Sequence, residues 1–279
     1  MAEIKSFIRW AGGKSWLVPY IKELIDGLEF NNYYEPFLGG ASIFFAIDTP
    51  KKSYLSDINE DLVNAFASIK EDHNKVIDHL KKFKSDEESY YQIRKSEPLE
   101  KYERAARFIY LNFYAYNGLY RVNRDGKFNV PYGRRNASYN YERLEVIRSK
   151  LIGAEIICQD FEVSKYKIQK GDLVFLDPPY TVSKDNNCFI GYNSTLFSLK
   201  DQYRLGDFLD DIERKGAYFI MTNAAHNTIL EIFKERGRMI PRMRNSLIGG
   251  KNSYRGKVEE YIFTNIPERS SDDDKYNMG

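Results

Sequence analysis

Apolar residues recur along this chain in two rhythms. Short runs bounded by Gly, Pro, Asn or Asp predict strands, and sets spaced three and four apart predict helices. Ser15 is placed to cap a helix whose apolar positions are Leu17, Tyr20, Ile21 and Leu24. Tyr33-Tyr34-Glu35-Pro36-Phe37 reads as a short strand, followed by the turn Leu38-Gly39-Gly40 and a small helix through Ile43, Phe44 and Ile47. Ser53-Tyr54-Leu55-Ser56 reads as a second strand ending at Asp57, and Asn59 caps a helix carrying Leu62, Val63, Phe66 and Ile69. Strand and helix in alternation predict a parallel sheet.

The pattern then changes. From about Asp61 to Lys150 the chain shows helical spacing and no core strand, with helices marked by Val76, Ile77, Leu80 and Phe83 and by Ala105, Phe108, Ile109 and Asn112-Phe113. Tyr116 to Arg135 is expected to form an extended hairpin or loop. Alternation resumes with strands at Ala154–Cys158 and Asp172–Leu176, a helix from roughly Lys200 to Lys215, a strand at Ala217–Thr222 and a helix at about Thr228–Lys234. Arg238–Arg242 and Val258–Thr264 read as an antiparallel pair. The sequence thus predicts a discontinuous α/β domain (1–60 and 151–267) interrupted by a helical insertion (61–150) bearing the hairpin at about 116–135. A polar, disordered tail is expected at 268–279.

Composition narrows the classes. A net charge of +2 over 279 residues does not announce nucleic acid as a partner of the whole chain. No apolar stretch is long enough to span a membrane, and Met1-Ala2-Glu3-Ile4-Lys5 lacks the apolar core of a signal peptide. Cys158 and Cys188 read as packed thiols in a reducing, cytoplasmic setting. With His73, His79 and His226 they make no metal-ligand pattern, so no metal is expected.

The candidate chemistry starts at Asp177-Pro178-Pro179-Tyr180, directly after the apolar run Leu173-Val174-Phe175-Leu176. A strand ending this way offers a carboxylate, a carbonyl in a rigid Pro-Pro turn, two residues without an N–H, and a flat ring. Two acceptors and a ring can hold a planar amino group and its heterocycle, which suits methylation of an exocyclic nitrogen. A Pro-Pro that merely ends a strand is the plain alternative.

Gly39-Gly40 between strand and helix would let a ligand approach the backbone, or would simply make a tight turn. Asp57 at a strand end can accept from ribose hydroxyls, or can cap the next helix. Asp160-Phe161 could bracket an adenine, or could be a loop acid and a core ring. Lys14 is a cation for a carboxylate, or a solvated side chain. Together these parts suit S-adenosylmethionine, with the nucleoside over Phe37 to Gly40, the ribose on Asp57 and the amino-acid end at Lys14 and Trp10. Its methyl would face Asp177 to Tyr180.

Between Tyr116 and Arg135, Arg121, Arg124, Lys127, Arg134 and Arg135 stand against the single acid Asp125, with Tyr116, Tyr120, Phe128 and Tyr132 interleaved. Cations for phosphates, Arg forks for guanine edges and rings for stacking predict a DNA contact, with a solvated charged loop as the plain alternative that the density of rings disfavours. A second basic stretch, Arg236 to Arg255, includes Arg242, Arg244, Lys251 and Arg255 around Gly249-Gly250.

At this point the chain resembles the Dam-type DNA adenine-N6 methyltransferases, of the class (D12, alpha group) whose recognition domain lies between the cofactor motifs and DPPY. The resemblance rests on FIRWAGGK (7–14), EPFLGG (35–40), LSDIN (55–59), LNFYAYNGLYRVNRDGKFNVPYGR (111–134), LDPPY (176–180) and FIGYNSTLFSLKDQ (189–202). It implies a Rossmann-like S-adenosylmethionine-dependent sheet, a double-stranded DNA substrate and S-adenosylhomocysteine as product. It also implies a protein of a bacterial or phage-infected cytoplasm, monomeric in solution and monomeric or dimeric on DNA. Asp177, Pro178, Pro179 and Tyr180 would hold a flipped adenine, and Asp177 would also serve the cofactor alongside Trp10, Lys14, Phe37, Gly39, Gly40, Asp57, Asp160 and Phe161.

On the hairpin the resemblance implies that Tyr116 wedges into the duplex with Asn117 supporting it. Leu119, Arg121 and Pro131 would read the sequence, and Asn123 and Arg134 would contact DNA nearby. Arg9, where some relatives carry Lys, would meet a guanine. The implied site is GATC. The departures are Tyr120 within the hairpin, Arg135 after it, and the stretch from Asp72 to Arg104. A cytosine-N4, RNA-adenine or glutamine methyltransferase, and a DNA-binding regulator with a retired site, are the competing classes.

Overall fold

In the computed structural model of the chain, residues 4–123, 125–181, 197–245 and 257–268 are described. Among the described residues seven strands, mostly paired in parallel, make a mixed α/β fold. The chain divides into two compact units, one of residues 1–23 and 31–164 and the other of 24–30 and 165–279.

In the first unit, β1 (Tyr33–Glu35), β2 (Ser53–Asp57) and β3 (Glu155–Cys158) run parallel, with β2 central. Tyr33 and Tyr34 of β1 and Leu55 of β2 are buried, as apolar strand residues between covering layers should be. Helix α1 (Val18–Ile25) follows a 3-10 turn at Ser15–Leu17, so Ser15 lies inside that turn and does not cap the helix. Pro19 fits the first turn of α1, where its missing N–H would have no intrahelical acceptor.

The small helix expected through Ile43, Phe44 and Ile47 is a series of turns instead. There the buried Glu35 carboxylate takes the Phe44 amide at 3.2 Å and the Tyr33 hydroxyl at 2.7 Å, an acceptor that competes with helical pairing.

Helix α2 (Glu60–Leu80) starts at Asn59, whose Oδ1 accepts from the Leu62 amide at 3.0 Å. It breaks at Asp72, whose carboxylate accepts from the Asn74 and Lys75 amides and caps the second half. The two apolar sets in the sequence, Leu62–Ile69 and Val76–Phe83, correspond to these two halves, except that the helix ends at Leu80 and leaves Phe83 beyond it. Helices α3 (Glu87–Lys95) and α5 (Glu142–Leu151) were not singled out by the apolar pattern; α3 buries only Tyr90. Helix α4 (Lys101–Tyr114) packs along α2 and is buried on all sides from Phe108 to Asn112.

The second unit holds β4 (Leu173–Leu176), β5 (Tyr218–Ala224), β6 (Arg238–Asn245) and β7 (Lys257–Thr264) in the order β4-β5-β7-β6. β4 and β5 are parallel, and β7 is antiparallel to both β5 and β6. Helices α6 (Leu199–Arg214) and α7 (Asn227–Phe233) connect them, α6 opening with a reciprocal Ser198–Asp201 capping box. Among the described residues, no helix is long and apolar enough to cross a membrane. Cys158, expected to be packed, is exposed. Arg124, Cys188, residues 189–196, Gly249-Gly250, Lys251, Arg255 and the tail from 269 onward lie outside the described residues.

Candidate active site and nucleic-acid interface

The ends of β1, β2 and β3 and the turns after them carry Phe37, Gly39, Gly40, Asp57, Asp160 and Phe161 of the candidate cofactor residues. These are the carboxyl ends of parallel strands, where open α/β sheets hold ligands. Asp57, the last residue of β2, accepts from the Gly39 amide through Oδ2 and from the Asn59 amide through Oδ1, each at 3.0 Å. It therefore ties two turns together, while Asn59 performs the helix capping. Burial pushes the Asp57 carboxyl above the ordinary carboxylate value, and the amides of Gly39, Asn59 and Ile58 pull the other way.

Gly39 has φ of 45°, and a Cβ there would stand 2.8 Å from Trp10 Cδ1 and 2.9 Å from Nε1. The glycine is thus required both by its backbone and by the indole laid against it. At Gly40 a Cβ would stand 3.2 Å from Trp10 Cβ. Lys14 is only 4% exposed and donates to the Gly12 carbonyl at 3.0 Å, which removes the solvated-side-chain reading. Phe161 is buried and stacks on half-buried Phe37 at 5.2 Å, backing that ring. Asp160 accepts from the Glu162 amide at 3.0 Å and starts a turn of 3-10 helix at Phe161–Tyr166.

The hairpin stands on α4. The Tyr116 amide donates to the Pro131 carbonyl, the Asn129 amide to Arg121 and the Gly133 amide to Tyr114. Buried Asn112 clasps it to the amino-terminal segment: Oδ1 accepts from the Arg9 amide at 2.8 Å, and Nδ2 donates to the Arg9 carbonyl at 2.7 Å and to the Gly118 carbonyl at 3.3 Å.

Arg9, Tyr116, Asn117, Leu119, Arg121, Asn123, Pro131 and Arg134 all lie at the surface, Tyr116 54% and Leu119 39% exposed. The interleaved aromatics are a correction to the sequence reading. Phe128 is buried, and Tyr120 stacks on Trp10 at 5.4 Å and 25° and also meets Phe108 and Phe128. The Tyr132 hydroxyl donates to the Ser85 carbonyl at 2.7 Å. Of the four rings, Tyr116 alone projects outward; the others anchor the hairpin. Asn123 Oδ1 accepts from the Asp125 and Lys127 amides, shaping the tip. Arg135 stacks on Phe113 at 3.8 Å.

In the second unit, Asp177 to Tyr180 leave the carboxyl end of β4 and are steadied by residues that the motif does not contain. Thr222 of β5, fully buried, donates to Asp177 Oδ1 at 2.6 Å. The Tyr180 hydroxyl donates to Glu260 Oε2 at 2.7 Å. Burial first, then the negative charges of Asp177 and Glu260, hold the Tyr180 phenol well above its ordinary value. Beyond it, buried Thr181 donates to the Phe197 carbonyl and accepts from Gln202 Nε2, and Gln202 Oε1 accepts from Asn223. Sequence reasoning missed Asn112, Gln202, Thr222, Asn223 and Glu260. The available signal was a polar side chain at an apolar position of a helix or strand.

Residues 10–246 match the family described as D12 class N6 adenine-specific DNA methyltransferase. The chain is 32% identical to the Type II methyltransferase M1.LlaDCHI of Lactococcus lactis subsp. cremoris, over 94% of this chain and 95% of that one. It is 34% identical to the Type II methyltransferase M.MjaIII of Methanocaldococcus jannaschii, over 80% and 85% respectively. It is 30% identical to the DNA adenine methylase of Escherichia coli K12, over 94% and 95%.

Proposed function

The chain belongs to the D12 class of N6 adenine-specific DNA methyltransferases, and from that membership we propose that it methylates N6 of an adenine swung out of duplex DNA, within GATC. S-adenosylmethionine supplies the activated methyl group and leaves as S-adenosylhomocysteine. The residues of the first unit fit such a donor. The carboxylate of Asp57 at a strand end suits ribose hydroxyls. The buried ammonium of Lys14 suits the donor's carboxylate. The Phe37 ring backed by Phe161 suits a purine face, and Gly39-Gly40 beside Trp10 suit close approach.

An adenine inside a duplex is inaccessible, so it must leave the stack. The surface residues of the hairpin, with Tyr116 as wedge and Arg121, Leu119 and Pro131 as readers, serve that step, and segment 61–150 is the recognition region. Tyr180 stacks on the extruded base. The Asp177 carboxylate and the Pro178 carbonyl accept the two N6 hydrogens. This draws the nitrogen out of conjugation and frees its lone pair, so Asp177 acts by placement and charge and need not be a strong base.

The observation that carries this reading is the fixed Asp177 carboxylate at the end of β4, aimed by Thr222, within a family match that spans most of the chain. The test is tritiated-methyl transfer from S-adenosylmethionine to DNA by the purified protein, followed by nucleoside analysis, with methylome sequencing in a methylation-free host. N6-methyladenine in GATC is expected. N4-methylcytosine, or no incorporation, would sink the proposal, and N6-methyladenine in another sequence would remove GATC alone.

A further inference from the structure

Glu260 is an acid in the middle of β7 and only 2% exposed. A buried carboxylate is costly unless paired and hydrogen-bonded. Here one oxygen accepts from the Tyr180 hydroxyl at 2.7 Å and the other from Arg244 Nε of β6. Glu260 lies opposite Ala224 of β5 and Arg242 of β6, on the strand that joins them. Tyr180, by contrast, comes from the loop after β4. The contact therefore fastens the last residue of the Asp-Pro-Pro-Tyr segment to the sheet, as Thr222 fastens the first.

From this geometry we infer that Glu260, held by Arg244, is a positioning residue that sets Tyr180 as the stacking platform for the extruded base. The inference rests on the proposed role of Tyr180. A phenol is held by its oxygen, which lies on the ring axis, so the tether fixes the direction of the side chain. Phenol hydrogen bonds also favour an acceptor in the ring plane, which biases the plane itself. The anionic acceptor shifts electron density into the ring and strengthens its negative face. Arg244 neutralises Glu260 without competing for the phenol, because it occupies the other oxygen. A Tyr without this partner would stack on the base only after losing rotational freedom at that moment.

The test is a double-mutant cycle of Tyr180→Phe and Glu260→Ala on a duplex that the wild-type protein methylates, read by kcat and KM. The same duplexes carrying 2-aminopurine at the target position are read by fluorescence. Tyr180→Phe keeps the Glu260–Arg244 pair and the ring, and removes only the hydroxyl. Glu260→Ala is expected to lower kcat by about tenfold and to change the 2-aminopurine signal, yet to cost no more than about twofold in the Tyr180→Phe background. Equal losses in the two backgrounds would overturn the inference, since a merely structural acid costs the same with or without the phenol. Should Glu260→Ala fail to fold, Glu260→Met, which keeps most of the length and removes the acceptor, enters the same cycle and is judged by the same criterion. A wild-type protein that methylates no duplex defeats the function proposed above, which is a separate result from an additive cycle.

Discussion

The Thr222 hydroxyl donates to Asp177 Oδ1 at 2.6 Å from a fully buried position on β5. β4 and β5 pair in parallel with Leu176 opposite Met221, so Asp177, the first residue past β4, stands beside Thr222 of β5. The motif's carboxylate is thus aimed by the neighbouring strand. Asp177→Ala is expected to abolish methyl incorporation while the thermal melt stays within a few degrees of wild type. Thr222→Val keeps volume and removes the aim, and should lower kcat by about tenfold, the value of one hydrogen bond to a charged group. Single-turnover rates decide it, and an unchanged Thr222→Val rate would separate the contact from catalysis.

Gly39→Ala carries two penalties, a left-handed φ of 45° and a methyl 2.8 Å from Trp10 Cδ1. Gly153→Ala carries only the first, since its φ is 89° with nothing within 4 Å of the new methyl. Gly153→Ala should lose about 1–2 kcal/mol of stability in denaturant melts, and Gly39→Ala more than that. Only Gly39→Ala should also weaken S-adenosylhomocysteine binding, by at least about tenfold in isothermal titration. Equal affinities in the two variants would detach the Trp10–Gly39 contact from the cofactor.

Asn112→Ala leaves the Arg9 amide and carbonyl and the Gly118 carbonyl without their shared partner. A loss of about 1–3 kcal/mol is expected, read as a lower urea midpoint. An unchanged midpoint would show that water replaces the side chain at no cost.

The positions of the strands, though not their order in the sheet, were legible because β1, β2 and β4 are short runs closed by Pro or Asp, and apolar runs between turn residues have few other folds open to them. The two halves of α2 were legible for the same reason. The turns at Ile43–Ile47 were not, because the deciding acceptor, Glu35, comes from the preceding strand and looks like a strand residue in sequence. Helix α3 buries a single tyrosine and so gave no apolar stripe to read. In the candidate site the motif residues were visible as an unusual string, whereas Thr222 and Glu260 were not. Each sits in a strand that carries other polar residues, Asn223 in β5 and Glu259 in β7, and its meaning depends on a partner more than forty residues away. The hairpin aromatics misled because Tyr120, Phe128 and Tyr132 pack on the side of the ribbon that faces the protein, and a sequence does not tell the packed side of a ribbon from the open one.

Asp57 gives the pH prediction. Burial raises its folded-state value above that of the unfolded chain. A raised acid contributes stability that is fully present below the unfolded value and is lost as pH rises through the folded value. Wild type should therefore gain on Asp57→Asn as pH falls from neutrality through the raised value, down to the ordinary carboxylate range. Urea melts of both proteins at several pH values check this, and a difference independent of pH would contradict it.

Arg121 is exposed on the hairpin, with Nε donating to Asn129 Oδ1 at 2.8 Å, which pre-orients a guanidinium whose outer edge faces solvent. A pre-oriented fork suits a guanine edge better than a phosphate, because bidentate readout needs a fixed plane and phosphate attraction does not. Arg121→Ala should therefore cost about 1–3 kcal/mol of discrimination at one base pair and leave binding to unrelated duplex nearly unchanged. A phosphate contact would instead weaken both duplexes alike and reduce the salt slope by about one. Asn129→Ala, which frees the fork without removing it, should give a smaller loss with the same base-pair dependence. Binding isotherms on cognate and singly substituted duplexes, repeated at two salt concentrations, separate the cases, and equal losses on all duplexes would make Arg121 an electrostatic anchor.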